Sequence, residues 1–171
     1  MSFVTLVANP RPGSRTRTAA ERATDLVAGR IGYTGEREVV DLAGLAPGLL
    51  ASPPPAEAGR ALELVGRARV LLVASPTYKG TYTGLLKVFL DRLPTQALAG
   101  TTALPLLVMG DPRHALAVET HLRPLLVELG ATVPTPGLAL LESEIASLEE
   151  VLGPWADRVS PQIALTEGVS A

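Results

Sequence analysis

Two short stretches hold most of the side chains that could do chemistry. The first is NPRPGSRT, residues 9–16, which directly follows the apolar run FVTLVA. Arg11 and Arg15 offer charge-assisted, bidentate hydrogen bonds, Ser14 and Thr16 offer hydroxyls, and Gly13 lets the backbone come close to a ligand. Helical spacing begins at residue 16, so these groups sit where a helix exposes its unpaired N–H groups and the positive end of its dipole. That chemistry suits an anion, above all a phosphate. Taken alone, the same residues fit equally well a helix capped by Ser14 or Thr16 with its arginines in water. The loop has neither the lysine-containing pattern of a phosphate-binding ATPase loop nor the glycine triplet of a dinucleotide-binding turn.

The second stretch is SPTYKGTYTGLLKVFLDRLP, residues 75–94. Pro76 and Gly80 shape a loop whose backbone donors and acceptors could meet a flat heterocycle with polar edges, and Tyr78 can lie against its face. Lys79 stands in the same loop, where a solvated lysine is its plain reading. Thr83 is expected to cap a helix that turns Leu86, Phe89, Leu90 and Leu93 inward. Other candidates carry less. His114 and His121 lie about two turns apart on an expected helix, without the further ligands that a metal needs. Pro124 predicts a kink there, while Leu116, Leu122, Leu125, Leu126 and Leu129 leave apolar surface for subunit packing. Glu142, Glu144, Glu149 and Glu150 suit the dipole at a helix start, and Trp155 suits core or interface packing. The chain has no Gly-x-Ser-x-Gly elbow and no cysteine, which excludes a thiol nucleophile, thiolate metal ligands and disulfides.

A sheet must hold these loops in place. The runs FVTLVA, REVVDL, RVLLVAS, ALPLLVM and TVPTPGLAL are five expected strands, alternating with helical spacing at residues 16–30, 56–67, 83–93, 114–129 and 143–159. Strands that are apolar almost throughout are buried on both faces, which predicts an α/β three-layer sandwich: a five-stranded parallel sheet with helices on both faces. Ligands of such sheets bind beyond the carboxyl ends of the strands, and both chemical stretches follow such ends. The length of 171 residues suits one domain, expected over residues 1–160, with APGLLASPPPAE at 46–57 as a surface connection and 161–171 as a fraying tail.

Composition narrows the partners. Hydrophobic residues make up 47% and charged residues 19% of the chain, and mean hydropathy is +0.28, which points to buried subunit surfaces and a homodimer or homotetramer. The 15 basic residues are dispersed and the formal net charge is -2, so no nucleic acid partner is expected. No apolar run approaches the roughly 20 residues that span a bilayer, and no secretory leader pattern opens the chain, so no membrane partner is expected and the cytoplasm is the expected location. A phosphate-accepting receiver domain would carry clustered acids after its first strand, where this chain has ANPR.

Together, NPRPGSRT and SPTYKGTYTGLLKVFLDRLP resemble NADPH-dependent FMN reductases of the flavodoxin-like superfamily, especially the flavin reductases that partner alkanesulfonate monooxygenases. The likeness extends to HALAVETHLRPLLVELGA and so covers roughly residues 2–160. It implies a flavodoxin-like fold, with Arg11, Ser14, Arg15 and Thr16 holding the FMN phosphate and Pro76, Thr77, Tyr78, Lys79 and Gly80 bordering the isoalloxazine. Gly110 and Asp111 would close the pocket from the fourth strand. Family members commonly have small residues there, so MGDPRH departs from the pattern: Asp111 could accept a hydrogen bond from flavin N3–H but would disfavour an anionic reduced flavin. Some sulfonate-linked reductases also carry a π-type bulge in the fourth helix, often marked by tyrosine. Here His121 stands nearby, and a simple proline kink is the preferred expectation.

The activity implied by the resemblance is hydride transfer from nicotinamide C4 of NADPH or NADH to flavin N5, with no catalytic side chain assigned and with small molecules as substrates. Reduced FMN would pass to a flavin-dependent monooxygenase. With Tyr78 as the sole aromatic residue expected near the ring, one flavin face stays open for a nicotinamide, which favours a reductase over an electron carrier. The alternatives are a reductase that retains FMN and acts on quinones, azo compounds or metal oxyanions, and a flavin-binding module without catalysis.

Overall fold

In the computed structural model, residues 2–167 are described, with side chains through Ile163. Five strands form one sheet: β1 Phe3–Val7, β2 Arg37–Asp41, β3 Val70–Pro76, β4 Thr102–Met109 and β5 Leu138–Leu141. Their order is β2-β1-β3-β4-β5 and every pairing is parallel. The strand order reverses between β1 and β3, so the connections leaving these two neighbours diverge to opposite faces and open a crevice at their carboxyl ends. This is the flavodoxin-like architecture that the sequence predicts.

The pleat divides the core in two. Phe3 and Val7 of β1 join Val70, Leu72, Ala74, Leu104, Leu106 and Val108 on the face covered by α1 (Arg15–Arg30) and α6 (Leu148–Glu167). Val4, Leu6, Leu71, Val73, Ala103 and Leu107 face the other layer, formed by α3 (Ala56–Gly66), α4 (Gly84–Leu90) and α5 (Arg123–Glu128). On its inner side α1 carries Ala19, Ala20, Ala23 and Ala28, small residues that let it lie close to the strands. One polar pair is buried between them, the Thr5 and Thr24 hydroxyls at 2.7 Å, one donating to the other. A further short helix, α2 (Leu42–Leu45), follows β2, capped by Asp41.

Several boundaries differ from expectation, each for a local reason. The stretch TVPTPGLAL is strand only from Leu138; before that, Thr132 makes a single bridge to Thr102, because Pro134 and Pro136 have no N–H for a ladder. The expected helix at 143–159 starts later and ends later, at Leu148 and Glu167, after a 3-10 segment Glu142–Ser147. Pro154 and Pro161 lie within it, yet both stand on the exposed face with Glu150 and Asp157, whose carbonyls they leave free to meet water. The start of the expected tail therefore belongs to α6, and residues 168–171 lie outside the described residues.

The fourth helix is a correction of substance. In place of one kinked helix over 114–129 there is a 3-10 turn Pro112–His114, a π-helical turn Val118–Leu122 and then α5. The Arg123 amide donates to Val118 O, five residues back, and Pro124 falls in the first turn of α5, where a missing N–H costs little. Glu119 and Arg123 brace the wide turn. The guanidinium bonds the Glu119 carboxylate and also donates to Val133 O and to Pro134 O at 3.0 Å, while Glu119 accepts from Gly137 N at 2.6 Å. Those bonds from Arg123, with the Gly137 amide, hold the Glu119 carboxyl below its ordinary range although partial burial opposes them. Leu122 and Leu126 point into the protein's own core and Leu125 and Leu129 pack against it, so of the leucines expected at a subunit surface only Leu116 is largely exposed, at 72%.

Candidate functional site

At the end of β1 the chain turns through Asn9. Its side-chain oxygen accepts from Arg11 N at 2.9 Å and its amide donates to Thr16 Oγ1 at 3.1 Å, which folds the loop back onto the start of α1. Gly13 has φ +62, and a Cβ there would meet nothing within 4 Å, so the backbone borders open space in a conformation that glycine permits. Ser14 is the N-cap: its Oγ accepts from Arg17 N at 3.2 Å, leaving the hydroxyl proton free to donate. The amides of Arg15 and Thr16 have no partner within the helix. Thr16 is buried beneath them.

The second loop is tied to the first. Thr83 caps α4, accepting from Leu86 N at 3.2 Å as expected, and its hydroxyl donates to Ala8 O at 2.8 Å. Ser75 Oγ accepts from Thr83 N at 2.9 Å and Thr77 N donates to Val108 O at 2.8 Å, so β1, β3 and β4 are fixed to one another at their carboxyl ends. Between them Tyr78 and Thr81 pair across a two-residue turn in which Lys79 has φ 54 and Gly80 φ 84. Two successive left-handed residues make a type I′ turn, natural for Gly80 and strained for Lys79. The His114 ring lies beside Gly80, with room for a Cβ at 3.9 Å. Thr77 Oγ1 is buried without a hydrogen-bond partner.

These pieces enclose a cavity of about 350 Å³, within the range of small-molecule sites. Of the residues expected from the sequence, Arg11, Ser14, Arg15, Thr16, Pro76 and Tyr78 line it, with Pro12 and Gly13. Thr77, Lys79, Gly80, Gly110 and Asp111 do not. Asp111 is engaged elsewhere: it caps the Pro112–His114 turn through Arg113 N at 2.9 Å and pairs with the Arg113 guanidinium at 2.6 Å, which holds its carboxyl down to about 2. Asn9 and Val108 line it without an assigned role in the sequence reading, and Glu142, expected only to suit the dipole at a helix start, lines it as well. Glu142 follows the last residue of β5, and its position after a strand end is the signal that marks it. Its Oε2 lies 3.0 Å from Arg15 Nη2. Among the described lining residues Tyr78 is the one aromatic; Trp155 is buried elsewhere, donating to Pro136 O at 2.9 Å.

The lining divides by chemistry. One end has free amides, the Ser14 hydroxyl and two guanidinium groups, which fit a phosphate; the other has Pro76, Val108 and Tyr78, which fit an apolar ring. A larger depression of about 450 Å³ over Thr18, Arg22 and the start of α6 has no such division, and its Arg22 is already paired with Glu149.

The model of one family, described as NADPH-dependent FMN reductase, matches residues 1–144. The chain belongs to the NADPH-dependent FMN reductase family. An FMN reductase (NADPH) of Pseudomonas aeruginosa is 35% identical over 71% of this chain and 66% of its own length. An NADH-dependent FMN reductase, SfnF, of Pseudomonas fluorescens is 34% identical over 61% of this chain and 56% of its own. An FMN reductase (NADPH) of Pseudomonas putida is 39% identical over 51% of the chain, and the chain spans 44% of that relative. Among solved structures, an NADH:FMN oxidoreductase in its apo form is similar with a TM-score of 0.82 and 32% identity, over 96% of this chain and 89% of that one. No helix of the described residues is long and apolar enough to cross a membrane.

Proposed function

We propose that the protein is an NAD(P)H-dependent FMN reductase, binding FMN with its phosphate at Arg11, Ser14, Arg15 and Thr16 and its ring toward Pro76–Gly80. The observation that carries this reading is the divided cavity, whose phosphate-suited end and single-aromatic wall share one crevice at the β1 and β3 ends. Bound FMN supplies a ring that accepts hydride at N5 from nicotinamide C4. The chain's own part is to anchor and orient. Ser14 and the first amides of α1 fix the phosphate, Thr83 holds the two loops in register through Ala8, and Tyr78 covers part of one wall while leaving access for a nicotinamide. Lys79, held at the tip of its turn, offers a cation at the rim for developing charge or for a nucleotide phosphate.

Relatives named for NADPH and for NADH both match, so either nucleotide is a candidate donor. Reduced FMN is the product, with a flavin-dependent monooxygenase as its consumer. Purified protein mixed with NADPH or NADH tests the reading. Oxidation that depends on added FMN supports it; turnover of a quinone without added flavin would replace it with a flavin-retaining reductase. Flavin binding with no nicotinamide-dependent bleaching at roughly 450 nm would leave only a binding module.

A further inference from the structure

Glu142 is a carboxylate in a cavity suited to an anion. It lines the same walls as Arg11, Ser14 and Thr16, and among the described residues its partner is Arg15, at 3.0 Å. Stability does not explain it. The two side chains are 43% and 62% exposed, and an ion pair so open contributes little to folding. Nor does it cap the segment it begins: its neighbour Glu144 bonds Leu141 N at 2.7 Å. What Glu142 does is place a negative charge on one of the two guanidinium groups expected to meet the phosphate.

We propose that Glu142 is a built-in competitor of the FMN phosphate, keeping Arg15 engaged without flavin and opposing the phosphate when flavin arrives. The inference rests on the FMN reading above and deepens it. A phosphate entering this cavity must either draw Arg15 from its carboxylate or stand beside that carboxylate, and both lower affinity. The consequence is a flavin that leaves readily, as a reductase releasing its product requires. The competition concerns the phosphate alone, so riboflavin, with the same ring and ribityl chain but no phosphate, escapes it.

Titration of wild type and Glu142→Gln with FMN and with riboflavin, followed by flavin fluorescence, reads this out without turnover. The expected result is FMN affinity about three- to tenfold tighter in Glu142→Gln, with riboflavin affinity unchanged. An unchanged or weaker FMN affinity overturns the proposal, since Glu142 would then be neutral or would position Arg15 for the phosphate. An equal gain for FMN and riboflavin overturns it too, because the effect would lie at the ring. A parallel variant, Arg11→Ala with Ser14→Ala, separates the two levels: if it binds FMN as wild type does, the phosphate site itself is misplaced; if it loses FMN while Glu142→Gln does not gain, only the competitor role fails.

Discussion

At the residue scale, Ser14 uses one hydroxyl twice. Its oxygen accepts from Arg17 N, closing the first turn of α1, and its proton remains for a ligand. Ser14→Ala is therefore expected to cost about 1 kcal/mol of stability, seen as a lower denaturant midpoint, and also to weaken FMN binding about tenfold. Arg11 has an exposed side chain, and its loop is held by the backbone bond to Asn9. Arg11→Ala is expected to weaken FMN comparably while leaving the melting temperature unchanged; a drop in stability without a loss of FMN would reverse the roles assigned here. Arg11, Ser14, Arg15 and Thr16 were legible in the sequence because hydroxyls, cations and a glycine crowd the start of one helix. Asn9 was not, since its part is to bond the loop's own backbone, and Glu142 was not, since a carboxylate at a helix start has a sufficient local explanation. Only the arrival of β5 beside β4 carries Glu142 to the cavity.

At the scale of elements, the turn Tyr78–Thr81 and the π-helical turn each hold a conformation that costs energy. Lys79 stands at φ 54, where asparagine is better tolerated. Lys79→Asn is expected to raise stability by up to about 1 kcal/mol and to lower turnover with NAD(P)H, the pattern of strain kept for function. Thermal melts and steady-state rates on the same preparation check both parts. In the π segment, the Glu119 carboxyl is held below its ordinary 4.5 by Arg123, so the stability it contributes is fully present above that value and is lost as pH falls through the lowered one. The gap in melting temperature between wild type and Glu119→Gln should be widest above about pH 5 and close under acid; a gap independent of pH would show that the charge is not what braces the turn. The sequence announced an irregularity through Pro124, and the resemblance offered a π-type bulge, but a simple kink was preferred because the decisive bonds join Arg123 to a loop that precedes β5. For the same reason Pro161 read as an end, when its place on the exposed face of α6 lets the helix continue.

At the scale of the molecule, strand number, parallel pairing and two-sided burial followed from runs such as RVLLVAS, which are apolar at consecutive positions and so must be covered on both faces. The order β2-β1-β3-β4-β5 was legible only through the family resemblance, since no local pattern records which strands become neighbours. That order gives the two chemical stretches one crevice, and Thr83 bonded to Ala8 makes them one unit. Thr83→Val is thus expected to weaken FMN binding although Thr83 lines no part of the cavity, with a stability loss of about 1 to 2 kcal/mol from the lost cap and the unpaired Ala8 carbonyl. A crystal structure with FMN bound tests the central claim most directly. The account predicts the phosphate at the amides of Arg15 and Thr16 beside Ser14, and the ring against Pro76–Gly80 with one face open. A phosphate bound elsewhere, or a ring enclosed by aromatic side chains on both faces, would contradict it.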